Sequence, residues 1–291
     1  MAMEVLYGLH PVEEAVRSGA RRLEAVVLAR ERGDARLERL AQLCRDAGVR
    51  VALEPRDRLT RMARTDAHQG AIAQVRERAF LTLEDLLAPR NAGEAAPQNV
   101  SGKTIGDTAR QNGEIDPRHR FFLALDGIED PHNLGALLRT ADGAGVDGVI
   151  LPERRSAPVT AVVAKASAGA SEHVRIARVP NLVRALEQMK KANVWVLGLD
   201  ERGAPDYMDF DFHADCVLVL GREGAGLHDL VKKTCDHLLR IPMAGSVSSL
   251  NVSVAGAVVL YEAMRQRSRP PLESANARSA APARPRKGLG S

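Results

Sequence analysis

FFLALDGIEDPHNLGALLRTADGAGVDGVIL, residues 121–151, runs from an apolar strand into a helix and back to an apolar strand. The first strand ends at Asp126, a helix opens at Asn133, and GlyValIleLeu closes the unit at Leu151. The pattern continues toward the C-terminus. A helix is expected near Val159 to Ser167, then the strand ValArgIleAla, a helix from Asn181, and the strand ValTrpValLeuGlyLeu. Two further strands begin at Cys216 and His237, and a last amphipathic helix reaches about Arg267. Near-continuous apolar strands separated by helices indicate a parallel sheet covered on both faces, hence an α/β fold. On this reading the unit spans residues 120–267, and Trp195, inside an apolar strand, belongs to the core.

On the N-terminal side, residues 1–78 form a second, small α/β domain. Pro11 opens a helix that Gly19 ends. Leu23 to Ala29 is an apolar stretch. Leu37, Leu40, Ala41 and Cys44 recur at helical spacing up to Gly48, and extended segments follow from Val49 and from Gly70. Residues 79–119, after a short helical piece opened by Thr82, are rich in Ala, Pro, Asn, Gln and Gly without periodicity and read as a linker. Residues 268–291 read as a basic, disordered tail.

The chain of 291 residues is 45% hydrophobic and 27% charged, the composition of a globular protein, with no run near the roughly 18 apolar residues of a spanning helix. Membrane insertion is therefore not expected. MAMEVLYGLHPVEEAV carries acids where a secretory signal carries bases, and Cys44, Cys216 and Cys235 form no CxxC pair, so a reducing cytoplasm is the expected location. The net charge is +4, yet seven Arg and Lys against one Glu from Arg265 onward give a local +6, so the basic excess sits in the tail and points to a polyanion. Aromatic residues make up only 3%, too few for a module that stacks bases across a sheet.

Ligands of open parallel sheets gather beyond the carboxyl ends of the strands. Three such ends are polar or glycine-rich here. In the first, from Asp126, Asn133 is placed to cap the helix, Gly135 permits close approach, and Arg139 shares a face with Gly135. A plain capped loop with a solvated arginine fits that segment equally well. The second, GlyArgGluGlyAlaGlyLeu from Gly221, has Glu223 where a dinucleotide fingerprint has its middle glycine; an acid there repels a pyrophosphate and can receive a hydroxyl or a cation. In the third, from Ile241 to Gly256, four serines, an asparagine and a glycine fall within nine residues at the start of an apolar helix, more than capping requires. No histidine spacing resembles a metal site and no GxSxG appears. His10, His68, His132 and His173 read as surface or loop residues, and Arg21, Arg22, Arg61 and Arg64 as solvated.

In order and spacing, AsnLeuGlyAlaLeuLeuArg, LeuValLeuGlyArgGluGlyAlaGly and IleProMetAlaGlySerValSerSerLeuAsnValSerValAla resemble the three signature motifs of the SpoU, or TrmH-like, ribose methyltransferases of the SPOUT superfamily, over about Phe121 to Arg267. TyrGlyLeuHisProValGluGluAla and the later HisGlnGly are similar to that family's small RNA-binding domain, akin to an L30e fold. The stretch from Arg155 to Glu172, with the third motif, is most similar to the branch that methylates a guanosine of 23S rRNA. The resemblance implies a C-terminal trefoil knot, a homodimer packed through the catalytic domain, no metal, and S-adenosylmethionine held by Gly221, Ile241 and Leu250 with Leu220, Met243 and Ser249 beside them. It implies catalysis by Arg139, with Asn133 and Glu223 orienting that arginine and the ribose and with Ser248 and Asn251 positioning substrate or loop. The implied target is a guanosine in the P loop of the peptidyl-transferase centre. A transfer RNA or antibiotic-resistance methyltransferase, or a non-catalytic RNA-binding assembly factor, are the alternatives.

Overall fold

The computed structural model describes residues 3–30, 34–88 and 119–268. The central part of the expected linker and nearly all of the expected tail lie outside the described residues.

The N-terminal unit is a four-stranded sheet in the order β1-β4-β2-β3, formed by β1 (Met3–Tyr7), β2 (Leu23–Ala29), β3 (Val51–Glu54) and β4 (Ala71–Arg76). Only β2 and β3 pair in parallel; β4 runs antiparallel to both of its neighbours. Helices α1 (Leu9–Ser18), α2 (Ala35–Asp46) and α3 (Arg56–Ala63) accompany it. Leu6, Val12, Val26, Leu28, Leu40, Leu59 and Ile72 fill the core. Asp34 starts α2 by accepting from the Arg36 backbone N–H at 3.0 Å. Strand β1 and helix α3 go beyond the sequence reading. Along α3 only Leu59 is buried, so its charged sequence has no apolar stripe to reveal it. His68, expected on the surface, is fully buried: Nδ1 accepts from the Gly70 N–H at 3.0 Å and Nε2 lies 3.1 Å from Thr60 Oγ1.

The second unit is a six-stranded, all-parallel sheet in the order β10-β8-β9-β5-β6-β7. Its strands are β5 (Phe121–Leu125), β6 (Gly148–Pro152), β7 (Ile176–Val179), β8 (Trp195–Leu199), β9 (Cys216–Leu220) and β10 (His237–Leu239). Both faces are covered, as the apolar runs require. Phe121, Leu123 and Leu125 of β5 pack with α5 (Pro131–Gly143) and α9 (Val252–Arg267), while Phe122 and Ala124 pack with α7 (Leu182–Lys191) on the other face. Helices α6 (Ala161–Ala166) and α8 (Asp229–Thr234) complete the unit. Strand order reverses between β5 and β9, which opens a crevice at their carboxyl ends.

Three further expectations change. Residues 80–88, placed at the start of the linker, belong to the second unit: Leu81 bridges Ala177, and α4 (Leu83–Leu87), started by a reciprocal Thr82–Asp85 cap, buries Leu83 and Leu86 on the sheet. Trp195 is 48% exposed, because it begins β8 at a strand end, where its ring meets His237 at 5.6 Å instead of the core. Arg21 is buried rather than solvated, beside Glu4 and 3.4 Å from Glu172.

That last contact crosses between the units. The Glu172 carboxylate also lies 3.2 Å from Arg78, Glu14 on α1 pairs with His173 at 2.7 Å, and Lys165 donates to the Ala67 carbonyl at 2.5 Å. Ala161 and Ala164 of α6 pack into the N-terminal core, so the two units share one apolar seam.

Candidate active site

The site forms where the segments after β5, β9 and β10 meet. After β5 the chain turns at Gly127, whose φ of +80° suits glycine, and Asp130 caps α5 by accepting from His132 N at 3.2 Å and Asn133 N at 3.0 Å. Asn133 is therefore not the cap that the sequence suggested. Pro131 takes the first helical turn and Asp130 the cap, which frees the Asn133 side chain to look outward.

After β9 the chain doubles back on itself: Arg222 N donates to Gly226 O at 3.0 Å and Gly226 N to Arg222 O at 2.8 Å. A Cβ at Gly221 would stand 2.2 Å from the Gly226 carbonyl carbon, so only glycine lets the hairpin close. Glu223 sits at its tip. The third segment ends at Asn251, which caps α9 by accepting from Ser253 N at 2.9 Å.

These three segments exchange side-chain hydrogen bonds. The Asn133 amide donates to one Glu223 oxygen at 3.2 Å, and the Asn251 amide donates to the other at 3.1 Å and to the Asn133 carbonyl oxygen at 3.1 Å. Residues 118 positions apart in sequence, from Asn133 to Asn251, thus form one polar cluster.

Two cavities flank it. One, of about 430 Å³, is lined by all six expected donor-binding positions, Leu220, Gly221, Ile241, Met243, Ser249 and Leu250, and by Ser248. The other, of about 270 Å³, lies against Gly127, Ile128, Glu129, Asp130 and Asn133. Arg222, Glu223 and Val252 border both.

Arg139 is not brought to this cluster. It lines neither cavity, it is exposed on the second unit, and among the described residues no partner holds its guanidinium. Gly135 does permit a close approach, and what approaches is a helix: a Cβ there would meet the Ala166 Cβ at 2.4 Å.

The sequence reading missed Asp200 and Glu201, which reach the larger cavity from the carboxyl end of β8. Burial raises the Asp200 pKa, but the 2.7 Å hydrogen bond from Lys232 and the Arg202 N–H outweigh it, and the carboxyl sits below its ordinary value. An acid directly after an apolar strand was the available signal. Among the described residues no group of three or more His, Cys, Asp and Glu is placed to hold a metal, and no helix is long and apolar enough to cross a membrane.

The parallel sheet thus carries two cavities at its reversal point, with a carboxamide–carboxylate cluster between them. The model of the SpoU rRNA methylase family matches residues 120–261, and that of the RNA 2′-O ribose methyltransferase substrate-binding domain matches residues 5–81. The chain is 40% identical over 272 residues to the 23S rRNA (guanosine-2′-O-)-methyltransferase RlmB of Pseudomonas aeruginosa, covering 93% of this chain and 98% of the relative. It is 38% identical over 266 residues to RlmB of Ralstonia nicotianae, covering 91% and 96%. The crystal structure of the SpoU methyltransferase AviRb from Streptomyces viridochromogenes, in complex with AdoMet, superposes with a TM-score of 0.67 at 26% identity over 91% of this chain and 90% of that one. This chain belongs to the SpoU rRNA methylase family.

Proposed function

We propose that this protein transfers the methyl group of S-adenosylmethionine to the ribose 2′-hydroxyl of a guanosine in 23S rRNA. The observation that carries the reading is the Asn133–Glu223–Asn251 cluster, set between two cavities that share Glu223. Family membership and the RlmB names of the relatives supply the substrate class.

The larger cavity fits the donor chemically. Leu220, Ile241, Leu250 and Ala255 offer apolar surface for an adenosyl group, the cradle at Gly221 has no room for a Cβ, and Asp200 and Glu201 face the cavity as acceptors for hydroxyls or a cation. When bound, S-adenosylmethionine supplies a methyl group on a positively charged sulfur. The chain's own residues align the acceptor. Glu223 and Asn133 orient the ribose from the smaller cavity, and Ser248 and Asn251 hold the third segment against it. A guanidinium is not deprotonated in proteins, so Arg139, which lies outside both cavities, acts as a clamp on an RNA phosphate and not as a base. Transfer would make an O–CH₃ bond at the 2′-oxygen at the expense of the donor's S–CH₃ bond, with a neutral thioether and a proton, released to solvent, as the other products.

In this reading residues 1–78 bind RNA, the C-terminal part of the catalytic domain is threaded as a trefoil knot, and the protein acts in the cytoplasm. It pairs as a homodimer, for which Val254 and Tyr261, exposed on α9, supply apolar surface. The test is methyl transfer from labelled S-adenosylmethionine to 23S rRNA, with primer extension to map the product. A single 2′-O-methylguanosine in the P loop is the expected result; label confined to transfer RNA, or none, overturns the assignment.

A further inference from the structure

We propose that Asp126 and His228 form a positioning pair that sets the Glu223 carboxylate against Asn133 and so governs methyl transfer without touching donor or acceptor. The inference rests on the methyltransferase reading above. Asp126 ends β5 and is 6% exposed. One of its carboxylate oxygens accepts from the His228 backbone N–H at 2.7 Å, and the other lies 2.8 Å from His228 Nδ1. Its own N–H donates to the Leu220 carbonyl at 2.8 Å. Asp126 therefore grips both ends of the hairpin that carries Glu223, Leu220 before it and His228 after it.

The hairpin is a closed body. The reciprocal Arg222–Gly226 hydrogen bonds and the close approach at Gly221 leave it little internal freedom, so its orientation is set at its base. The base is packed as well as bonded: a Cβ at Gly127 would stand 2.6 Å from Arg222 Cγ and 3.4 Å from His228 Cε1. Asp126 and Asn133 lie at opposite ends of one short segment, and His228 and Glu223 belong to the other. Asp126–His228 and Asn133–Glu223 are thus two ties between the same two segments, one at the base and one at the tip. Arg155 Nη1 reaches His228 Nε2 at 3.4 Å from the far side. That network assigns the proton to Nδ1, donating to Asp126, and leaves Nε2 to accept from Arg155.

Orientation of this kind is worth rate. A displacement of a catalytic group by about 1 Å costs up to about a hundredfold. His228→Ala, at a partly exposed position, is expected to lower kcat by between about tenfold and a hundredfold with its melting temperature retained. His228→Arg, which still donates to Asp126, is expected to keep most of the activity. Asp126→Asn should lose rate as His228→Ala does.

The deciding measurement is a double-mutant cycle with Glu223→Gln, read as methyl transfer to 23S rRNA. If the pair acts through Glu223, adding His228→Ala to Glu223→Gln changes the residual rate by less than about twofold. Losses that multiply, or a fully active His228→Ala, overturn the proposal while leaving the methyltransferase assignment in place. A wild-type protein inactive on 23S rRNA overturns both. Should Asp126→Asn fail to fold, the two His228 variants carry the test.

Discussion

At the scale of single residues, Asn251 shows how one side chain serves structure and site together. Its carbonyl oxygen starts α9 and its amide binds Glu223 and Asn133, so helix and cluster share one rotamer. Arg139 is the opposite case, an exposed guanidinium without a partner among the described residues. Arg139→Ala should therefore leave stability within about 0.5 kcal/mol of wild type. The same substitution should abolish methyl transfer while calorimetry finds S-adenosylmethionine binding unchanged; normal turnover would remove Arg139 from the mechanism. Gly221→Ala should do the reverse. Its new Cβ meets backbone, not a side chain that can swing aside, so the hairpin must open and donor affinity should fall at least about tenfold in the same calorimetric assay.

At the scale of elements, what the sequence reveals depends on whether an element's packing leaves a periodic trace. The parallel strands do leave one, since both of their faces are buried, and β5, β6, β8 and β9 stand out as continuous apolar runs. Strand β1 sits at a sheet edge with one buried residue and α3 has only Leu59, so neither shows a pattern. The three site segments were legible because small polar residues accumulate where ligands approach backbone. The cluster's internal bonding was not, because it depends on Asp130 rather than Asn133 taking the cap. Segment 80–88 was hidden by its brevity: five helical residues contribute two buried leucines. Its docking is testable through Gly148, where a Cβ would stand 2.2 Å from Leu86 Cδ1. Leu86→Ala should cost about 2–5 kcal/mol in urea denaturation. Gly148→Ala should also destabilise the protein, but less in the Leu86→Ala background, where the clashing methyl is gone; additive costs would place Leu86 elsewhere.

At the scale of the whole molecule, the seam between the two units carries a contact that titrates in an accessible range. Glu14 of α1 and His173 of the catalytic unit lie 2.7 Å apart, with Arg17, Asp142 and Glu172 as the neighbouring charges. The hydrogen bond that His173 donates to the Glu14 carboxylate is the main cause both of the rise of the His173 pKa above 6.5 and of the fall of the Glu14 pKa below 4.5. A raised histidine stabilises the folded state fully below 6.5 and loses that contribution as pH climbs through its folded value; a lowered carboxylate stabilises above 4.5 and loses it as pH falls through its folded value. Both contributions are therefore complete between these two ordinary values. Burial raises the Asp142 pKa above 3.8, so it adds a cost that sets in on the acid side and leaves the alkaline limb to His173. Both partners of the pair are mostly shielded, and a contribution of about 1 kcal/mol is expected. Denaturation midpoints measured from pH 6 to about pH 9 should fall with rising pH by that amount, and His173→Gln should flatten this limb. An equal slope in the variant would show that the seam is held by its apolar alanines and the buried Glu172 cluster alone.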